Sequence, residues 1–185
     1  LPSSTLFPYT TLFRSGGAYY YANGAGLGGT PQGLTIIDGV CYDDAGGGTC
    51  SFVGFDANHI LHTGYMTYAD AQAKGIVDGV TFEPVLIVNG QMEDTAVLNT
   101  GTNPRSAIGQ RADGAVLMLV IDGRQVHSAG ATQQDVAEVM LDYGAVNACS
   151  LDGGSSTCMW FNGEYLNSIS GGSGARWLPD AFLVK

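Results

Sequence analysis

Positive charge is what this chain has least of. Lysine occurs only at Lys74 and Lys185, and 7 Lys and Arg residues face 17 Asp and Glu, for a net charge of −10. Nucleic-acid binding draws on many phosphate-neutralising cations, so this balance argues against such a partner. Long apolar runs are missing as well, and none is long enough for a transmembrane segment. Neither near pair among the 4 cysteines, Cys41 with Cys50 or Cys149 with Cys158, has the C-x-x-C spacing of a zinc site. His59 and His62 stand three apart in an expected strand and so face opposite sides, which argues against a shared metal. The sequence requires no cofactor and offers no metal-ligand set, and it leaves a structural divalent cation open.

What is present suits one domain. The 185 residues are 45% apolar, enough for a real core. Residues 1–15 are set apart: Leu1 to Ser15 reads as a non-native, adaptor-derived segment without the basic start, apolar centre and cleavage site of a signal peptide. Residues 16–185 form the domain on this reading, and the native N-terminus, with any export signal, lies outside the sequence. Cys41 and Cys50 enclose a Gly-rich loop that a disulfide closes, implying an extracytoplasmic compartment. Cys149 and Cys158 read either as a second bridge or as small buried side chains.

Strand signals dominate. Leu34–Ile37 and Val40–Tyr42 flank Asp38-Gly39 as a hairpin, and Ser51–Phe55, His59–Thr63 and Thr81–Val88 read as strands. Thr67 caps a short helix that Gly75 stops. Ser106–Gln110 and Ala115–Ile121 form a hairpin about Asp113-Gly114, its second strand expected to be fully buried. Thr132–Tyr143 is the main helix, with Asp135 at the capping-box position, Val136, Val139, Met140 and Tyr143 on one face, and Gly144 as its stop. Val146–Leu151, Cys158–Phe161 with Glu164–Leu166, and Ala181–Val184 complete the strands. The expected class is α+β: a single mixed, strand-rich domain with one main helix and one or more short helices packed on a sheet.

One segment carries the most chemistry. In Leu151-Asp-Gly-Gly-Ser-Ser-Thr157 a strand runs into a carboxylate, two glycines and three hydroxyls. Glycines let the backbone turn sharply, and successive N–H groups cradle an anion. The same Asp-Gly pair also reads as an ordinary hairpin turn. Three further segments precede it: Asn103-Pro-Arg-Ser-Ala-Ile-Gly109, Val120-Ile-Asp-Gly-Arg-Gln125 and Gly130-Ala-Thr-Gln-Gln-Asp135. In this order and spacing the four together resemble the phosphodiester glycosidase family, whose bacterial members are often described as exopolysaccharide biosynthesis proteins. The resemblance runs from about Gly16 to Lys185. The family's early Asn-Gly-Gly-aromatic motif stands here as Ser15-Gly-Gly-Ala-Tyr19, and Ser155 replaces a third glycine.

The resemblance implies hydrolysis of a sugar-1-phosphate diester, such as an N-acetylglucosamine-1-phosphodiester, at the glycosidic bond. The substrate would be a glycosyl phosphodiester or phosphorylated glycan, and the enzyme would be secreted or at the cell surface. A departing phosphate monoester spreads its charge over several oxygens, so such an enzyme must chiefly hold an anion and stabilise a cationic sugar. Arg105, with the N–H groups of Gly153, Gly154 and Ser155 and the hydroxyls of Ser155 and Ser156, suits the first task. Asp152 or Asp122 suits the second, as nucleophile, base or electrostatic partner. Asn103, Arg124, His127 and Arg176 complete the expected substrate contacts. Each has a bland alternative: Arg124, like Arg111, reads equally as a solvated turn residue, and His127 as a surface histidine. Tyr19, Tyr20 and Tyr21 read as sugar platform or core. A non-catalytic carbohydrate- or phosphate-binding module of the cell envelope is the competing function, although such a module has no need of Asp152 beside its anion cradle. A metal-dependent phosphodiesterase is disfavoured for want of a dense His/Asp cluster.

Overall fold

The computed structural model describes residues 11–14, 31–171, 174–175 and 178–184. In chain order the strands are β1 (Thr11–Arg14), β2 (Thr35–Ile37), β3 (Val40–Asp43), β4 (Cys50–Asp56), β5 (Leu61–Met66), β6 (Ile76–Thr81), β7 (Val85–Val88), β8 (Gln91–Met92), β9 (Arg105–Arg111), β10 (Val116–Ile121), β11 (Ala145–Leu151), β12 (Cys158–Phe161), β13 (Glu164–Tyr165) and β14 (Phe182–Val184). The helices are α1 (Tyr68–Ala73), α2 (Thr95–Leu98) and α3 (Gln133–Asp142). The class is α+β, with α3 the main helix.

Strand alternation explains how the layers assemble. Successive side chains of a strand point to opposite faces of its sheet. In β4, Phe52 packs with Leu34, Ile36, Met66 and Ala71, the last from α1, whereas its neighbour Val53 packs with Ile108, Cys149 and Leu151. In β9, Ala107 joins Val136, Ala137 and Met140 of α3, whereas Ile108 faces Val53 and Leu61. Two five-stranded sheets, ordered β3-β2-β6-β4-β5 and β10-β9-β11-β7-β8, are therefore stacked face to face, with α1 outside one and α3 outside the other. A four-stranded sheet, β13-β12-β1-β14, adds Met159 and Phe182 to the central core. All of these strand pairings are antiparallel. Strand β1 lies within the segment set apart above.

Local chemistry fixes α1 and α3 as expected. Thr67 and Thr132 accept from the N–H groups of Asp70 and Asp135, whose carboxylates reach back to the cap N–H groups, and Gly144 ends α3 with φ 85°. Five expectations change. The run from Thr81 to Val88 is two strands, because Pro84 has no N–H to donate and the chain passes there from one sheet to the other. Strand β5 begins at Leu61, since His59 sits at φ 62° in a turn. Strand β10 is an edge strand, partly exposed throughout rather than buried. On α3, Gln133 and Ala137 join Val136 and Met140 in the core, and Tyr143 is exposed. Cys41 and Cys50 are free thiols: β2 and β6 separate their strands, placing them roughly 14 Å apart across the sheet, beyond disulfide reach. Cys149 and Cys158 are buried free thiols as well.

Candidate functional site

Antiparallel pairing gathers the dispersed motifs at one end of a sheet. Arg105 opens β9 opposite Ile121, the last residue of β10, and Ser106 lies opposite Leu151, the last residue of β11. The residues that follow, Asp122 and Asp152, thus emerge beside Arg105. The Gly130–Ala131 segment closes the group, as Asn103 and Ala131 exchange backbone hydrogen bonds of 3.1 and 2.9 Å. The glycines here are spacers. A Cβ on Gly130, which sits at φ 107°, would collide with the Asn103 carbonyl; one on Gly153 would lie 2.8 Å from Pro104 O, and one on Gly123 2.5 Å from Pro104 N. Real Cβ atoms do not approach so closely, so backbone meets backbone only because side chains are missing.

Two guanidinium groups share the resulting cavity, which has a volume of about 580 Å³ and is lined by Arg105 and Arg124 together with Leu151, Gly153 and Gly154. Arg105 donates from Nε to Ala131 O (2.9 Å) and from Nη2 to Thr100 Oγ1 (2.9 Å) and Gly101 O (2.5 Å). Arg124, at φ 56°, donates from Nε (3.2 Å) and Nη2 (2.6 Å) to Asn103 Oδ1. Among the described residues, neither arginine uses Nη1. The Nη1 of Arg124 lies 3.4 Å from where a Gly154 Cβ would stand. A guanidinium has five N–H donors in a fixed fork, so the two donors of each Nη1 have no partner among the described residues. Burial, and then the nearby charge of Arg124, hold the Arg105 pKa below the usual arginine value. Arg105 stays a cation, partly out of water beside a like charge, an arrangement that an anion relieves.

The turn itself differs from the expected amide cradle. The N–H of Gly154 donates to Pro104 O (2.9 Å) and is not available to a ligand. Ser156 is buried, whereas Ser155 is exposed. Asp152 is half-buried, between the cavity-lining Leu151 and Gly153. Asn103 acts as a bracket for Arg124, its Nδ2 donating to Gly101 O (3.2 Å).

Asp122 serves a neighbouring loop. Its Oδ2 lies 3.0 Å from His127 Nε2, and its Oδ1 accepts from Ser168 N (2.9 Å) and Asn167 Nδ2 (3.4 Å). Its backbone carbonyl accepts from Ser128 Oγ at 2.6 Å, and Gln125 Nε2 donates to Ser168 O at 2.7 Å. Partial burial pushes the Asp122 carboxyl up, but hydrogen bonds from His127, Asn167 and Ser168 outweigh it and leave the pKa below the usual carboxylate value. Asp122 and His127 thus tie the 122–130 segment, which carries Arg124, to residues 167–168; neither lines the cavity. Arg111 pairs with Asp113 (2.7 Å) at the far end of β9. Arg176, the Ser15–Tyr19 motif and the Tyr19–Tyr21 run lie outside the described residues.

The rest of the cavity lining was not legible from the motifs. Tyr65, Phe82, Glu83, Pro84, Val97 and Thr100 also line the cavity. Residues 82–84 are braced from both sheets: Ser51 Oγ donates to Phe82 O (2.5 Å), and Ser150 N to Pro84 O (3.0 Å). Partial burial, then the charges of Glu93 and Glu83, raise the Tyr65 pKa. Among the described residues, no group of three or more His, Cys, Asp or Glu side chains is placed to hold a metal ion, and no helix is long and apolar enough to cross a membrane.

Comparison with known proteins gives the family and the fold. A family profile described as "Phosphodiester glycosidase" matches residues 12–185. The chain is 34% identical over 164 residues to the SPbeta prophage-derived uncharacterized protein YomE of Bacillus subtilis (strain 168), a match covering 82% of this chain and 25% of that protein. Its fold is similar to the catalytic domain of zebrafish N-acetylglucosamine-1-phosphodiester alpha-N-acetylglucosaminidase, auto-inhibited by its pro-peptide, with a TM-score of 0.71, 22% identity, and coverage of 95% of this chain and 61% of that one. The chain thus spans a quarter of the Bacillus protein's length and about three fifths of the zebrafish chain. With the profile match extending over nearly all of the sequence, the chain belongs to the phosphodiester glycosidase family.

Proposed function

We propose that this chain hydrolyses a sugar-1-phosphate diester at the glycosidic bond, acting on cell-surface or extracellular glycans. The observation that carries the reading is the pair of arginines lining one cavity, each fixed through Nε and Nη2, with the Nη1 of Arg124 beside the side-chain-free Gly154. Charge-assisted, bidentate contacts of this kind suit phosphate oxygens. In the proposed reaction, water adds to the anomeric carbon and the bond from that carbon to the phosphate oxygen breaks. The bonding electron pair leaves with the phosphate monoester, whose charge Arg105 and Arg124 hold. Asp152 faces the sugar, stabilises its developing positive charge and takes up the proton released by water. Asn103 positions Arg124, while Asp122 and His127 hold the loop that carries it.

The test compares the native protein with Asp152→Asn on a glycosyl phosphodiester, measuring release of the free reducing sugar. The expected result is turnover by the native protein, with kcat lost in the variant and phosphate affinity retained. A native protein that binds the phosphorylated glycan without turning it over would instead be a carbohydrate-binding module.

A further inference from the structure

A hydroxyl beside Arg105 has one hydrogen-bonding capacity left, and the reaction above does not use it. Thr100 follows α2, and its N–H donates to the carbonyl of Leu98, a fully buried core residue, at 2.8 Å. Its Oγ1 accepts from Arg105 Nη2 at 2.9 Å and from the backbone N–H of Gln133 at 3.1 Å. Gln133 opens α3, where the first N–H groups of a helix find no carbonyl within the helix. A threonine hydroxyl carries two acceptor lone pairs and one proton. Both lone pairs are taken here, so Oγ1 meets any further group only as a donor. Among the described residues that O–H has no acceptor. Thr100 is half-buried and lines the cavity that Arg105 and Arg124 share.

We infer that Thr100 is a third anion-binding side chain, donating its O–H to an oxygen of the phosphate held by Arg105 and Arg124. The inference rests on the proposed glycosyl phosphodiester reading, which puts a phosphate in this cavity. Nη1 and Nη2 of Arg105 share one carbon, so an oxygen bound at Nη1 comes within reach of the hydroxyl bonded to Nη2. A non-bridging phosphoryl oxygen of a diester has lone pairs and no proton, which matches a hydroxyl with only a proton to give. The two donors behind Oγ1, one of them a full cation, polarise the O–H and strengthen the bond it makes. A ligand group that presents a donor at this point meets a proton instead of a lone pair. Thr100 thus adds to the charge of the arginines a demand that the bound group be an acceptor.

Titration of the native protein, Thr100→Ser and Thr100→Val with inorganic phosphate, followed by NMR so that weak affinities are read, tests the inference without needing turnover. Thr100→Ser keeps the hydroxyl and should bind within about threefold of native. Thr100→Val keeps the shape and should bind about tenfold more weakly, the low end for a bond to a charged group because water reaches the cavity. A threonine that merely steadied Arg105 would also lose affinity on this change, so the valine variant is repeated in the Arg105→Met background. No guanidinium remains there to be steadied. Direct donation predicts a further loss of at least about threefold, and steadying predicts none. The native protein crystallised with phosphate gives a check that needs no variant: Oγ1 should lie within about 3.0 Å of a phosphoryl oxygen. Thr100→Val binding within threefold of native, Thr100→Ser as weak as Thr100→Val, a loss that vanishes without Arg105, or a bound phosphate beyond the reach of Oγ1 each overturns the inference and leaves the two arginines standing. Inorganic phosphate that does not bind the native protein overturns both readings.

Discussion

Replacing Arg105 separates charge from shape at the site. Arg105→Met keeps the unbranched apolar stem of the side chain and removes the guanidinium, and with it the hydrogen bonds to Ala131 O, Thr100 Oγ1 and Gly101 O. Two opposing terms act on stability. The lost charge-assisted bonds each favour the native state by about 1.5–3 kcal/mol at most, and less where water reaches them. Against this, burying the cation beside Arg124 is relieved, as its lowered pKa implies. The net cost should be about 1–2 kcal/mol, a fall in Tm of roughly 2–8 °C for a domain of this size. Ligand affinity has no such offset. The Nη1 donors and the positive charge are both lost to the phosphate, about 3 kcal/mol or on the order of 100-fold in Kd. Arg105→Lys retains the charge without the fork, so it should fall between native and Met. Calorimetric titration with glucose 1-phosphate, run beside a thermal melt of each variant, measures both quantities. A folded Arg105→Met protein binding the ligand within twofold of native would refute the placement of the anion on this side chain.

Three further outcomes follow from the same contacts. Gly130→Ala places a Cβ against the Asn103 carbonyl at φ 107°, so it should destabilise the fold by about 2–4 kcal/mol in denaturant titration and weaken phosphate binding with it. Asp122 has a folded pKa below its unfolded one, so its contribution to stability is present above the unfolded carboxylate value and is lost as pH falls through the folded value. Melts of Asp122→Asn across the acid range should accordingly show a shallower loss of stability than native, and a parallel pair of curves would contradict the assignment. Because Cys41, Cys50, Cys149 and Cys158 are free thiols, adding a reductant should leave Tm unchanged; a clear drop would mean a bridge exists.

What the residues disclosed and what they concealed divide along physical lines. Helix caps are local chemistry, so Thr67 with Asp70 and Thr132 with Asp135 were legible within four residues of sequence. The gathering of Arg105, Asp122 and Asp152 was legible in their motif order, since antiparallel neighbours bring the start of one strand to the end of another. Burial of β10 was not, because an apolar run does not say whether its strand lies at an edge. The spending of the Gly154 N–H on Pro104 O depends on tertiary contact across fifty residues, and so escaped a reading based on the turn alone. Tyr65 and Glu83 carry no motif; only the tertiary fold brings them to the cavity that the arginines line. Cys41 and Cys50 misled because short separation along the chain is not proximity in a sheet where other strands intervene.

The account turns on which bond is cut while the arginines hold the phosphate. Turnover of a glycosyl phosphodiester in oxygen-18 water, followed by mass spectrometry of both products, reads this directly. Label on the anomeric hydroxyl of the sugar, with an unlabelled phosphate monoester, is the predicted result. Label in the phosphate would mean that phosphorus, not the anomeric carbon, is attacked, and would contradict it.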